Sequence, residues 1–160
     1  MDRIHGIFTK KPYNPASFLI RVANPVSFIH IGPASHVIAV DGTTGYGFEA
    51  SALHGVRRAL LKDMLKGCFV VEEKGYDVPN AKAGLDWLRE TAERKAKYDF
   101  KGALALGLSP ERNWQEDTDW FCFEYFAYGL EKAGRKTFSN NARVSAYMLM
   151  SLSGEISPQP

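Results

Sequence analysis

The stretch from Ser35 to Ala50 constrains the fold of this chain more than any other. Ser35-His36-Val37-Ile38-Ala39-Val40 becomes β-branched and apolar after its first two residues, and Tyr46 to Ala50 reads as a returning strand. Between them, Asp41-Gly42-Thr43-Thr44-Gly45 is dense in turn-forming residues. The pattern predicts an antiparallel hairpin. With Asp41 to Thr44 as the loop, Val40 pairs with Gly45, and counting back sets His36 opposite Glu49. Directly opposed residues share a face, with Cβ atoms about 5 Å apart. A slip of one residue would carry Glu49 to the other face.

A hairpin needs other elements to cover it. Asn14-Pro15 predicts a helix start, with Asn as the cap and Pro at the first helical position. Phe18, Leu19 and Val22 then share a face, and the helix ends before Asn24-Pro25; a strand over Phe18 to Val22 is the alternative. Phe28 to His30 reads as extended, broken by Gly32-Pro33. Ala59 to Lys66 reads as a short helix stopped by Gly67, and Cys68 to Glu73 as a strand. Pro79 or Asn80 opens a helix to about Lys97, with Leu85, Leu88 and Ala92 on its buried side. Glu90 with Arg94, and Glu93 with Lys97, have acid-before-base spacing. Lys101 to Leu108 fits helix or loop, and Glu111 to Asp117 reads as a polar loop. Helices are expected from Asp119 to Ala133, closed by Gly134, and from about Asn140 to Leu152.

A length of 160 residues implies one domain, 1–160. A formal charge of +2, with no Lys/Arg run longer than two residues, makes no case for nucleic acid or an anionic membrane. The N-terminus lacks a signal-peptide pattern. The first apolar stretch is interrupted by Arg21, Asn24, Pro25 and His30, so no membrane span is expected. The chain reads as soluble and cytoplasmic by default, with signal-less export open.

The two cysteines, Cys68 and Cys122, do not make a disulfide framework. Cys68, in the run Cys68-Phe69-Val70-Val71, reads as a small buried hydrophobe. Cys122 is different. Thr118 or Asp119 is a good helix cap, which puts Cys122 in a first turn, where unpaired N–H groups and the helix dipole favour a negative charge. A thiol attacks as thiolate, and a histidine within reach can take its proton. His36 is the candidate base, Glu49 the carboxylate that orients it, and the Cys122 N–H the first oxyanion donor.

Each of these residues also has a plain role. Cys122 lies in Trp-Phe-Cys-Phe-Glu-Tyr-Phe and could be core; His36 could be a satisfied strand-start histidine. Glu49, flanked by Phe48 and Ala50, is an unusual place for a charge. His5, His30 and His54 read as structural or exposed. With no CxxC, no HExxH and no phosphate-binding glycine loop, no metal or cofactor is expected.

Ser17 to Arg21, Gly32 to Val40, Phe48-Glu49-Ala50, Gly55-Val56-Arg57 and Trp120 to Leu130 with Ala133-Gly134 resemble, in that order, the circularly permuted NlpC/P60 (permuted papain-like) cysteine hydrolases, YiiX/YebB-like subgroup. The resemblance covers about residues 17–134. It implies an α+β fold: a small antiparallel sheet packed on helices, with the cysteine at a helix N-terminus. It implies Cys122 as nucleophile, His36 as general base and Glu49 as third member. It implies cleavage of an amide in a cell-wall peptide or isopeptide; action on lipid acyl groups, or a non-catalytic binding module, are the alternatives. The expected partners are a peptide, peptidoglycan-derived or acyl substrate, and no nucleic acid. One departure is Phe123, where many relatives have a small polar residue, and this is expected to reshape the pocket.

Overall fold

The computed structural model describes residues 2–11, 14–23, 33–99, 101, 119–136, 138–141 and 144–155. It begins with a strand that sequence pattern alone did not suggest, β1 (Asp2–Lys10). Helix α1 (Pro15–Ala23) follows, capped as expected: the Asn14 Oδ1 accepts the Ser17 N–H at 3.0 Å. The hairpin follows as β2 (His36–Asp41) and β3 (Tyr46–Ser51), and a further strand, β4 (Gly55–Leu60), returns beside β3. A single turn, α2 (Leu61–Met64), leads to β5 (Phe69–Val78), which pairs with β1. The sheet is antiparallel throughout, in the order β4-β3-β2-β1-β5.

One face of the sheet carries Ile4, Phe8, Val37, Ala39, Phe48 and Ala50 into the core. Helix α3 (Ala81–Glu93) and helix α4 (Cys122–Lys132) pack there. Phe126 of α4 meets Phe8 and Tyr76 edge-on, with ring centroids 6.4 and 5.4 Å apart. It approaches β1 closely because residue 6 is glycine: a Cβ there would lie 2.8 Å from the Phe126 ring. Burying one such aromatic side chain contributes about 1.5–3 kcal/mol. Gly84 does the same service between α3 and α4, where a Cβ would lie 2.6 Å from the Gly129 carbonyl oxygen. A short parallel pair, β6 (Lys97–Tyr98) with β7 (Asp119–Trp120), leads into α4. The last helix, α5 (Ala146–Ser151), contributes Leu149, whose carbonyl accepts the Tyr76 hydroxyl at 2.8 Å. The result is α+β: a small antiparallel sheet with helices against it.

Several boundaries differ from expectation. The hairpin loop sits one residue later, so Val40 pairs with Gly47 and Asp41 with Tyr46. Asp41 stays in the strand because its carboxylate accepts the Thr43 N–H and hydroxyl at 3.1 and 2.7 Å. Gly45, with φ of 71°, takes the left-handed position that ends the turn. Residues 59 and 60, expected in a helix, complete β4 instead. Strand β5 starts after Cys68 and runs on to Val78. Helix α3 stops at Glu93, leaving Lys97 outside it in β6, whereas Glu90 and Arg94 do form their ion pair at 3.7 Å. The last helix starts at Ala146, capped by Ser145, not near Asn140. The expectations for Phe28 to His30, 102–108 and Glu111 to Asp117 lie outside the described residues.

Candidate active site

The two-residue shift in pairing leaves the important consequence of the hairpin intact. An even shift keeps every side chain on its own face. Glu49 is therefore a diagonal, not direct, neighbour of His36, and its longer side chain closes the gap. The His36 Nε2 and Glu49 Oε2 lie 2.6 Å apart. The other carboxylate oxygen, Oε1, accepts the Arg57 Nε–H at 2.6 Å. Arg57 is the residue directly opposite Glu49 across the β3–β4 pair. Both oxygens of a carboxylate only 5% exposed are thus satisfied by donors.

Cys122 reaches this pair from the core side. It is the first residue of α4, as the expected first-turn position requires, but the cap differs. The Ncap is Phe121, with no side-chain cap bond; Asp119 is held in β7, and Thr118 lies outside the described residues. The start of α4 is instead fixed by pairing and packing. Tyr98 pairs with Trp120, the Asp99 N–H donates to the Trp120 carbonyl at 3.0 Å, and the Trp120 ring meets Trp87 edge-on at 5.3 Å. Cys122 is 1% exposed, and its Sγ lies 3.8 Å from the Ser35 carbonyl oxygen.

The electrostatics join the three side chains. Burial alone would depress the His36 pKa; hydrogen bonds to Cys122 and Glu49, and the charges of both, reverse this and push it up to about 10. Burial opposes the Glu49 carboxylate, but His36 and Arg57 together pull its pKa down to about 2. At neutral pH the site therefore holds a protonated imidazole between an ionised Glu49 and Cys122. Nε2 is taken by Glu49, which leaves Nδ1 as the nitrogen for Cys122.

A cavity of about 440 Å³ opens onto His36, Glu49 and Ser35. Thr9, Ser17, Ser51, Lys11 and Lys66 bring polar and charged groups to a wall whose larger share is apolar. Cys122 sits behind Ser35 and His36, not on the wall. Phe123 is fully buried, so it shapes the core and not the pocket, contrary to expectation. Cys68 is also reassigned: it is half-buried and lines the cavity. His54 is exposed on the cavity rim. His5 lies in β1, and His30 is outside the described residues.

Arg57 and Tyr98 were not singled out by sequence. Tyr98 lines the cavity, and burial followed by the charges of Cys122 and Asp99 raises its pKa. Arg57 had a readable signal: it is the opposite-charge residue on the strand after Glu49. Tyr98 had none, because its place depends on the long-range pairing of β6 with β7.

Behind the sulfur lies a second carboxylate, Glu124. It is 2% exposed, and its Oε1 has no hydrogen-bond partner. Burial pushes its pKa up to about 8, opposed by a hydrogen bond from the Phe121 backbone and aided by the Asp99 charge. The folded chain thus keeps a proton that the unfolded chain releases above 4.5, so stability falls as pH rises from 4.5 through about 8. Glu124→Gln keeps the cap acceptor and removes the titration. Relative to the parent it is expected to gain on the order of 2 kcal/mol, or about 4–8 °C in Tm, between pH 5 and pH 9. Thermal melts of both proteins at the two pH values check this; a constant difference in Tm would contradict it.

Among the described residues, no group of three His, Cys, Asp or Glu side chains could hold a metal ion, and no helix is long and apolar enough to cross a membrane. No protein-family model, curated protein or solved structure matches the chain.

Proposed function

We propose that this chain is a cysteine hydrolase of the permuted papain-like, NlpC/P60 type that cleaves an amide bond. The observation that carries the proposal is the 2.6 Å His36–Glu49 contact on an imidazole whose pKa is also raised by Cys122 beside it. In this reading, the proton that His36 carries on Nδ1 at neutral pH is the one given up by Cys122, and Glu49 stabilises that imidazolium through Nε2. The sulfur attacks the carbonyl carbon, and the oxyanion forms beside the Cys122 N–H, a donor without an intrahelical acceptor at the start of α4. His36 returns the proton to the leaving amine. It then deprotonates a water, which attacks the acyl-enzyme, releasing the carboxylic acid and the thiol. Ser35 and the His36 ring must shift to let a carbonyl reach the buried sulfur.

Hydroxyl and charged groups on the cavity wall, Thr9, Ser17, Ser51 and Lys11 among them, can pair with the backbone of a peptide or isopeptide, which supports that reading over a lipid ester. A panel of muropeptides, isopeptide-linked peptides and phospholipids tests the proposal. Hydrolysis of an amide member that is abolished in Cys122→Ala supports it. Ester cleavage alone moves the activity to the lipid alternative; amide turnover that survives Cys122→Ala contradicts the nucleophile.

A further inference from the structure

Helix α1 turns three large apolar side chains outward. Phe18, Leu19 and Val22 are 53%, 48% and 44% exposed, whereas Ser17 and Ile20 of the same helix are buried. A surface helix ordinarily turns its apolar stripe inward. Phe69 and Val70 at the start of β5 are also largely exposed. The end of β1 ties these two segments together. Lys10 pairs with Phe69 in the sheet and holds its ammonium 5.1 Å from that ring, while the Lys11 N–H donates to the Ser17 hydroxyl at 3.1 Å. Lys11 and Lys66 line the cavity that α1 helps to wall, and on its other lip Leu53 is 82% exposed. The cavity beside α1 is thus lined by exposed Leu53 and by Lys11 and Lys66, with Asp63 as an acidic neighbour.

We propose that this face docks on an anionic lipid bilayer, with the α1 side chains inserted at the interface and the lysines on lipid phosphates. An exposed apolar patch marks an interaction site, and an apolar helix face flanked by lysines suits a membrane interface. The lysine stems can lie along apolar surface while their heads reach the headgroup level. A symmetric pairing with a second copy fits less well, because it would bring the same lysines together. The docking is independent of the chemistry proposed for Cys122.

The test is sedimentation of the full chain with phosphatidylcholine vesicles, with and without phosphatidylglycerol. Binding is expected on the mixed vesicles and is expected to weaken on phosphatidylcholine alone and in high salt. The Phe18→Ser/Leu19→Ser/Val22→Ser variant is expected to lose at least about tenfold in vesicle affinity with an unchanged Tm. Lys11→Glu/Lys66→Glu is expected to abolish the preference for anionic lipid; should the triple variant melt early, Phe18→Ser alone replaces it. Failure of the parent to bind mixed vesicles overturns the proposal, as does a triple variant that binds like the parent. A parent dimer that the triple variant turns into monomer also overturns it, by identifying a second copy as the occupant. Cys122→Ala is expected to bind vesicles like the parent, so failed docking and failed catalysis are read separately.

Discussion

Glu49→Gln is expected to lower kcat/KM on an amide substrate by about 10³–10⁴ while leaving the chain folded. The reason is the count of acceptors. Glu49 uses one oxygen on the His36 Nε2 and the other on the Arg57 Nε–H. Glutamine has one acceptor oxygen and one amide nitrogen, and Arg57 can only donate. The amide nitrogen must therefore face His36, which has to offer a lone pair on Nε2. That places the ring proton on Nδ1, the nitrogen that should receive the proton of Cys122. The substitution keeps size and both contacts and reverses the tautomer. Single-turnover kinetics on folded protein would separate this loss from a loss of binding.

The same substitution should be visible without any substrate. Burial pulls the His36 pKa down, and Glu49 supplies a hydrogen bond and a charge that help to raise it to about 10. With Gln at 49, the His36 pKa measured by NMR is expected to fall by several units. Linkage gives the corresponding stability effect. His36 binds a proton in the folded chain that the unfolded chain releases above 6.5, so its contribution is full below pH 6.5 and is lost as pH rises through about 10. Glu49 contributes above 4.5, and its share is lost as pH falls through about 2. Both are present between about pH 4.5 and 6.5. The stability of the parent should therefore decline on the alkaline side more steeply than that of Glu49→Gln.

The parts of the site that could be read from sequence were those fixed by neighbours along the chain. The hairpin announced itself through the Asp41 to Gly45 turn residues. The His36–Glu49 pairing survived an error in the loop position because moving the loop by one residue moves the register by two. The cap at Asn14 was legible for the same local reason. What was not legible depends on distant partners. Strand β1 has a glycine and a histidine at its centre, and it is a strand because β2 and β5 pair with it on both sides. Strand β4 carries Arg57-Arg58-Ala59-Leu60, which reads equally as helix; the Glu49–Arg57 pair and the ladder to β3 decide it. The α4 cap was placed too early because Asp119-Trp120 is drawn into pairing with β6.

The second large effect concerns the two cysteines, and it addresses the triad directly. Cys68 is half-buried on the cavity wall, and Cys122 is 1% exposed behind it. Access alone would have Cys68 react first and Cys122 hardly at all. The triad proposed above reverses that order, because pairing with His36 would supply the thiolate, and the thiolate and not the thiol is the nucleophile. Time-resolved mass spectrometry of the native chain with iodoacetamide at neutral pH measures both sites in one sample. Cys122 is expected to be labelled at least about tenfold faster than Cys68, with the advantage lost in His36→Ala. If Cys68 is labelled first and His36→Ala leaves the Cys122 rate unchanged, Cys122 is a core residue and the triad does not exist.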